Sequence, residues 1–474
     1  MATAVSAKVR MYRLNELGDC FLVTFTTDKD KSHLLVDCGS FRNSGPSVQR
    51  LQAVTAKIGE VLDGRPIDVV VGTHQHNDHL SGFVHCEKEF RDMGVGQVWL
   101  SWLDHPTDKQ AQEIGKAHHN IKVKLARARD ELHAALAASG PLRATAVHSL
   151  GVLDGMLGFH GAAAAGTPPE LPAKGIEILK SLGKAEPQYL EPGQTLDMPG
   201  LPAETVRVHV LGPPRADDLL NRKDPRKGES YDHALAAAGL QAVKLLDATL
   251  CRRGEIEVEE EHYPFTDVLK RQEVGKPSPA LAAVVQRYRQ PNGWWTIDDA
   301  WTETAGALAL FLDKFTNNSS LVLAIELVKS GKVLLFAADA QTGNWLSWKD
   351  VKWERDDVST DDLLARTVFY KVGHHASHNA TLPDAFERMT HADLVALIPV
   401  HKKDPNIAKD SGWKMPATNL LRRLRKSTQD RVLQMDDVNP PACDPTKDPA
   451  KAAWKRAGIE PRISDDSIEL DIKG

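Results

Sequence analysis

The stretch from Ile67 to Gly82 constrains this chain more than any other. Ile67-Asp68-Val69-Val70-Val71 is a largely apolar, β-branched run of strand length that breaks at Gly72. Four potential metal ligands follow within six residues: His74, His76, Asp78 and His79. On extended backbone, side chains two apart share a face, so His74 and His76 point the same way. A turn after His76 then brings Asp78 and His79 round to meet them. Imidazole and carboxylate donors suit borderline divalent cations and leave a position for water. A solvated His-rich loop is the bland reading, and a buried strand feeding straight into the cluster argues against it.

With 474 residues and 42% hydrophobic content, the chain can build a large core, as several domains or as one domain with insertions. A net charge of −5 gives no general polyanion-binding character. Cys20, Cys38, Cys86, Cys251 and Cys443 are scattered, odd in number and form no CxxC pair. That argues against a disulfide framework or a thiolate zinc site and suits a reducing compartment. The first residues lack an apolar signal core, and no stretch has the apolar length of a bilayer span. The expectation is a soluble cytoplasmic protein without a membrane partner.

Taken in order, residues 8–14, 20–26 and 33–37 read as strands of an early meander, with Gly18-Asp19 as a turn. Residues 47–62 have helical periodicity, 83–93 look helical and 95–102 strand-like. A long helix or hairpin is expected from Pro106 to about Ser139, opened by a Thr107/Gln110 capping box. Its His118, His119 and His133 read as surface residues, and His160 stays ambiguous. Residues 206–211 alternate like a strand, with His209 as an ordinary strand residue, and end in Gly212-Pro213-Pro214. Strand signals resume at 321–328, 332–337, 368–372 and 394–400. A helix over 420–425 and a closing strand over 431–434 follow. The expected organisation is one domain over 1–474 with a helical insertion at 104–190. A lid or subdomain at 215–317 holds the acidic run 255–261, the Pro-rich 274–279 and Trp294-Trp295, and 378–474 supplies a strand-helix completion and tail.

Chemistry recurs at strand ends. The strand at 332–337 runs into Asp339, and the one at 368–372 runs into His374-His375. Together with the first cluster these are six or seven ligands, more than one tetrahedral ion uses, and two ions bridged by Asp339 would use them.

These residues resemble those of metallo-β-lactamase-fold metallohydrolases. Thr73-His74-Gln75-His76-Asn77-Asp78-His79 looks like the HxHxDH signature, and Gly18-Asp19 and Asp37-Cys38-Gly39 resemble the opening Gly-Asp and Asp-x-Gly motifs. Asn318 to Leu323, Leu334 to Ala340, and Val372-Gly373-His374-His375-Ala376-Ser377 resemble later motifs of the branch containing the competence DNA-uptake channel protein. The resemblance implies an α/β fold, an αββα sandwich with helical insertions, and two divalent ions, zinc in most members and manganese or iron in others. It further implies that His74 and His76 bind the first ion and Asp78 and His79 the second. Asp339 would bridge, and one of His374 and His375 would be the last ligand. Many members supply another histidine after a middle strand. The corresponding turn here, Gly212-Pro213-Pro214, has none, as tends to hold in that branch, which leaves the first ion poorer in ligands unless His105 or His160 reaches in. Ala338 and Ala376 stand where that branch often has glycine.

The expected activity is hydrolysis by a metal-bound hydroxide, with Asp78 as ligand and proton acceptor. Lys371 and Ser377 are candidates for holding a substrate anion, with a structural role the stronger reading for Lys371. The branch implies a phosphodiester substrate, in a nucleotide or nucleic acid. Arg422, Arg423, Arg425 and Lys426 form only a small basic group on the terminal helix. A carboxylic ester, lactone or thioester hydrolase is the alternative enzyme. A metal-binding protein whose insertions hold a protein partner is the alternative outside catalysis.

Overall fold

Strands buried along most of their length build two sheets. The computed structural model describes residues 4–137, 144–162, 170–221, 278–288, 300–408, 413–437 and 449–474. β1 (Ser6–Tyr12), β2 (Cys20–Thr26) and β3 (Lys31–Cys38) form an antiparallel meander. Helix α1 (Gly45–Leu62) then carries the chain over to β4 (Ile67–Val71), which runs parallel to β3. β5 (Val95–Ser101) and β6 (Gln188–Leu190) extend the sheet in parallel.

In the second sheet, β7 (Thr195–Asp197), β8 (Val206–Gly212), β9 (Val322–Leu327) and β10 (Lys332–Phe336) pair antiparallel. β11 (Thr367–Lys371), β12 (Val395–Ile398) and β13 (Val432–Gln434) then continue it in parallel. Finally β14 (Arg462–Ile463) and β15 (Ser467–Lys473) return to the first sheet, β15 pairing antiparallel with β1 along its length.

The two faces of β10 show how the layers stack. Leu334 and Phe336 join the core between the sheets, where Phe336 meets Phe21 edge-on at 5.8 Å. Val333 and Leu335 face the other way, into an apolar cluster with Trp345, Trp348 and Leu424 from the outer helices. Leu51, Val54 and Ile58 of α1 cover the first sheet. Strands buried on both faces read as continuous apolar runs, which is why β4 and β9 are conspicuous in sequence.

Several expectations change in detail. The helix expected at 83–93 begins earlier, as α2 (Asn77–His85), and a second one, α3 (Glu87–Met93), follows. Helix α4 (Lys109–Ala137) opens on Asp108, not on a Thr107/Gln110 box. Asp108 Oδ1 accepts from the Ala111 amide at 2.8 Å, while the Gln110 amide donates to the Arg215 carbonyl. β6, β7 and β14 are too short to carry a periodic signal.

Helix α5 (Ala144–Phe159) and helix α6 (Leu171–Leu182) follow α4. Leu125 and Leu132 of α4, Leu153 and Leu157 of α5, and Leu308 and Leu312 of the helix Ala300–Asn318 share one apolar core. Residues from the 104–190 and 215–317 stretches thus pack on each other. Residues 222–277 and 289–299, with the acidic run, most of the Pro-rich segment and the Trp294-Trp295 pair, lie outside the described residues. Among the described residues, no helix is long and apolar enough to cross a membrane.

Candidate metal centre

The strand β4 ends at Val71, and the chain then bends at His74 and Gln75, where the His76 amide donates to the His74 carbonyl at 3.0 Å, before His76 leads into α2. Asp78 and His79 therefore sit in the first helical turn, where the helix dipole favours a carboxylate. Backbone bonds hold this turn against the first sheet: the Asp19 amide donates to the Asp78 carbonyl at 2.9 Å, and the Gly39 amide to the Asp19 carbonyl at 3.0 Å. Gly39 has to be glycine, because a Cβ there would lie 2.5 Å from backbone atoms of Asp78 and His79.

Asp78, His79, Asp339 and His375 converge, with one ligand atom of each within 4.8 Å of all the others. His375 Nε2 is 2.9 Å from Asp78 Oδ2 and 3.3 Å from Asp339 Oδ2. His79 Nε2 is 3.4 Å from Asp339 Oδ2. Each imidazole is aimed by its other nitrogen. His79 Nδ1 donates to Asp37 Oδ2 at 2.7 Å, and His375 Nδ1 donates to the Pro399 carbonyl at 2.9 Å. Asp37 is itself fixed by the Thr73 amide and hydroxyl, at 2.9 and 2.7 Å. Partners of this kind set the tautomer and leave Nε2 facing inward. His74 Nε2 and His76 Nδ1 face each other at 3.1 Å beside this group.

The histidine pair divides. His374, His375 and Ala376 all adopt left-handed backbone, with φ of 41°, 47° and 60°. This turn sends His375 into the converging group and leaves His374 outside it. His374 Nδ1 meets Ser377 Oγ at 2.7 Å and Gln341 Nε2 at 3.0 Å. His374 and Ser377 both line a cleft of about 580 Å³, with Phe159, Asp313, Gln341 and Trp413.

Lys371 is buried, and its ammonium donates to Asp339 Oδ1 at 3.1 Å and to the Ala338 carbonyl at 2.6 Å, with Asp19 as a third partner. Its partners are the Asp19 and Asp339 carboxylates and the Ala338 carbonyl, and it does not line the cleft that His374 and Ser377 share. His105 does not reach the centre: its Nδ1 accepts from the Thr107 amide, and its ring lies on Tyr189. His160 is buried, with its ring 5.0 Å from that of His76. His118 is half-buried against Phe315 and His133 bonds Asp154 at 2.9 Å, so neither is a plain surface residue. His209 bonds Glu326 within the second sheet, as an ordinary strand residue would.

The donor set fits divalent cations. Asp19, Asp37, Asp78, Asp313 and Asp339 are all buried here, and Lys371 is the buried ammonium among them. Asp78 Oδ1, His79 Nε2 and Asp339 Oδ2 are buried without a hydrogen-bond partner. Such groups are costly unless a charge meets them. The same field shows in the protonation of the site. Burial works against a charged His375, but Asp339, Asp78 and Asp19 outweigh it and hold the imidazole up to about 10. Burial also opposes ionisation of Asp339, yet His375, Lys371 and His79 hold its carboxyl well below the usual range. Burial and then the neighbouring His79 push His74 well down; burial takes His76 to about 3 despite Asp78. Both are neutral imidazoles, the form that ligates metal.

Asp19 and Asp37 belong to the motifs quoted from the sequence, but their part in aiming His79 and holding Lys371 was not foreseen. A carboxylate just after Gly18 and another just before Cys38-Gly39 were the available signals. Asp313 had none, lying inside an unremarkable helical stretch. No curated protein matches the chain. Residues 15–93 match the model of the metallo-beta-lactamase superfamily, a span that holds Asp19, Asp37 and His74 to His79 and stops short of Asp339 and His375. That match covers the first part of the chain, and two sheets faced by helices have the fold class of a metallo-beta-lactamase domain.

Proposed function

We propose that this chain is a metal-dependent hydrolase of phosphodiesters, in a nucleotide or nucleic acid, working with two divalent ions, zinc before manganese or iron. The convergence of Asp78, His79, Asp339 and His375, four ionisable side chains from three separate strand ends, carries this reading. His74 and His76 would hold one ion, Asp78, His79 and His375 the other, and Asp339 both. Bound there, the ions supply an activated water and neutralise charge on the transferring oxygens.

The chain's own residues do the rest. Asp37 and the Pro399 carbonyl keep His79 and His375 in fixed tautomers, and Lys371 holds Asp339 in place. Asp78 is the carboxylate nearest His375, placed to take a proton. His374, steadied by Ser377 and Gln341, is presented to substrate in the cleft. Phe159 and Trp413 stack there with ring centroids 5.1 Å apart, a wall suited to an aromatic base, and Lys314 and Lys414 at the same cleft suit a phosphate. The apolar side of that wall, with Met156, Met415 and Leu420, also favours a second reading, an ester or thioester with an apolar acyl group.

Metal analysis combined with turnover of bis(p-nitrophenyl) phosphate tests the proposal. Metal-loaded protein is expected to turn it over, and His375→Ala to lose roughly a hundredfold or more with its circular dichroism unchanged. Turnover of aryl esters or thioesters alone would replace the substrate class. Bound metal with none of these activities would point to a metal-binding protein whose helical segments hold a partner.

A further inference from the structure

His74 Nε2 and His76 Nδ1 are 3.1 Å apart and aimed at each other, the arrangement of two donors that share one ion. This leaves His76 Nε2 as the outward nitrogen. It is buried and has no hydrogen-bond partner. Opposite it, at 3.8 Å, lies Asp313 Oδ1, also buried and also without a partner. The other oxygen of that carboxylate is taken: Asn317, one turn further along the helix Ala300–Asn318, donates its amide to Asp313 Oδ2 at 3.3 Å. Asn317 in turn lies 3.4 Å from His374 Nε2. Residues four apart on a helix share a face, so Asp313 and Asn317 present one polar edge to the centre. Two unpartnered buried polar atoms of complementary type, a ring N–H and a carboxylate oxygen, are expected to pair, since a buried polar group without a partner is costly.

From this geometry we infer that Asp313 is the positioning carboxylate of His76: it accepts the Nε2–H and keeps the Nδ1 lone pair turned toward His74. The inference rests on the two-ion reading above and adds to it a residue outside the matched superfamily segment, on a helix that packs against α5 and α4. The ion served by His74 and His76 then depends on the docking of that helix, whereas the ion served by Asp78, His79 and His375 does not. Because Asp313 also lines the cleft, an occupant of the cleft touches the residue that sets affinity for this ion.

The test compares full-length wild type, Asp313→Ala and Asp313→Asn by metal titration with Co²⁺, following absorption and bound metal per chain. Wild type is expected to take two ions. Asp313→Ala should bind one of them about 10–100-fold more weakly and the other unchanged, the scale seen when a ligand histidine loses its outer partner. Asp313→Asn, whose amide oxygen still accepts from Nε2–H, should recover most of that loss. In the metal-free protein, nitrogen-15 histidine spectra should show His76 protonated at Nε2 in wild type and not in Asp313→Ala, with His76→Gln giving the assignment. Unchanged affinity for both ions in Asp313→Ala overturns the inference and leaves the two-ion reading standing. A wild-type chain that binds a single ion insensitive to Asp313 overturns the inference and the two-ion count with it. A wild-type chain that takes no divalent ion overturns both.

Discussion

At the residue scale, backbone conformation at the site departs from what side chains prefer. Asp37, Ala338, His374, His375 and Ala376 all have positive φ, between 41° and 60°. Left-handed backbone costs a residue with a Cβ about 1–2 kcal/mol, and strain of this kind collects where surrounding structure overrides it for function. It explains why the branch that the sequence resembles often has glycine at the positions of Ala338 and Ala376. For Ala338→Gly, relief of about 1–2 kcal/mol exceeds the roughly 0.5–1 kcal/mol of extra chain freedom that glycine brings. A net gain of up to about 1 kcal/mol is expected in urea unfolding. Ala376 also packs its methyl in the apolar cluster outside the second sheet, worth about 0.8 kcal/mol, so Ala376→Gly should be close to neutral. Clear destabilisation by Ala338→Gly would mean that methyl packing outweighs strain there too.

Between elements, the second sheet is tied by a buried charge. Glu326 on β9 accepts from His209 Nε2 on β8 at 3.1 Å and from Arg366, just before β11, at 2.7 Å. Burial works to raise its carboxyl, but the bonds from His209 and Arg366 win and hold it at about 2, below the ordinary 4.5. A carboxyl depressed in the folded state stabilises above its unfolded pKa and loses that contribution as pH falls toward the folded one. Glu326→Gln should therefore cost roughly 1–3 kcal/mol at neutral pH. The gap from wild type should shrink between pH 4.5 and about 2. A constant gap across that range would show that shape, and not ionisation, is what matters at this position. In sequence Glu326 is one acidic residue in an apolar run, and neither partner is near it in the chain.

For the molecule as a whole, the governing feature is the group of buried carboxyls at the junction of the two sheets. Asp19 and Asp37 come from the first sheet, Asp78 from α2, Asp339 from the second sheet and Asp313 from the helical layer. Ions bound there would join these parts beyond the packing, the Asp19–Asp78 backbone bond and the Lys371–Asp19 pair. A ligand that binds only the folded state adds about 2.7 kcal/mol at a hundred times its Kd. Chelation is therefore expected to lower the thermal midpoint, and added Zn²⁺ or Mn²⁺ to restore it. A midpoint indifferent to both would argue against resident metal. The same measurement on Gly39→Ala should show a lower midpoint and little response to metal, because its Cβ would displace Asp78 and His79 together.

What the sequence determined is what lies within a few residues. Strand β4, the ligand types at 74–79, and the strand ends before Asp339 and His374-His375 follow from local periodicity and local chemistry. The superfamily resemblance then joined these pieces into one sandwich. The tertiary structure decided everything that depends on direction across long separations. It separated His375 from its neighbour His374 through two consecutive left-handed residues, turned Lys371 inward to Asp19 and Asp339, and returned the last strand to β1. It also set Asp313 against His76, which no spacing could have shown. A hydrogen bond or an ion pair is fixed by distance and angle in space, and sequence neighbours carry that information only over a turn or two.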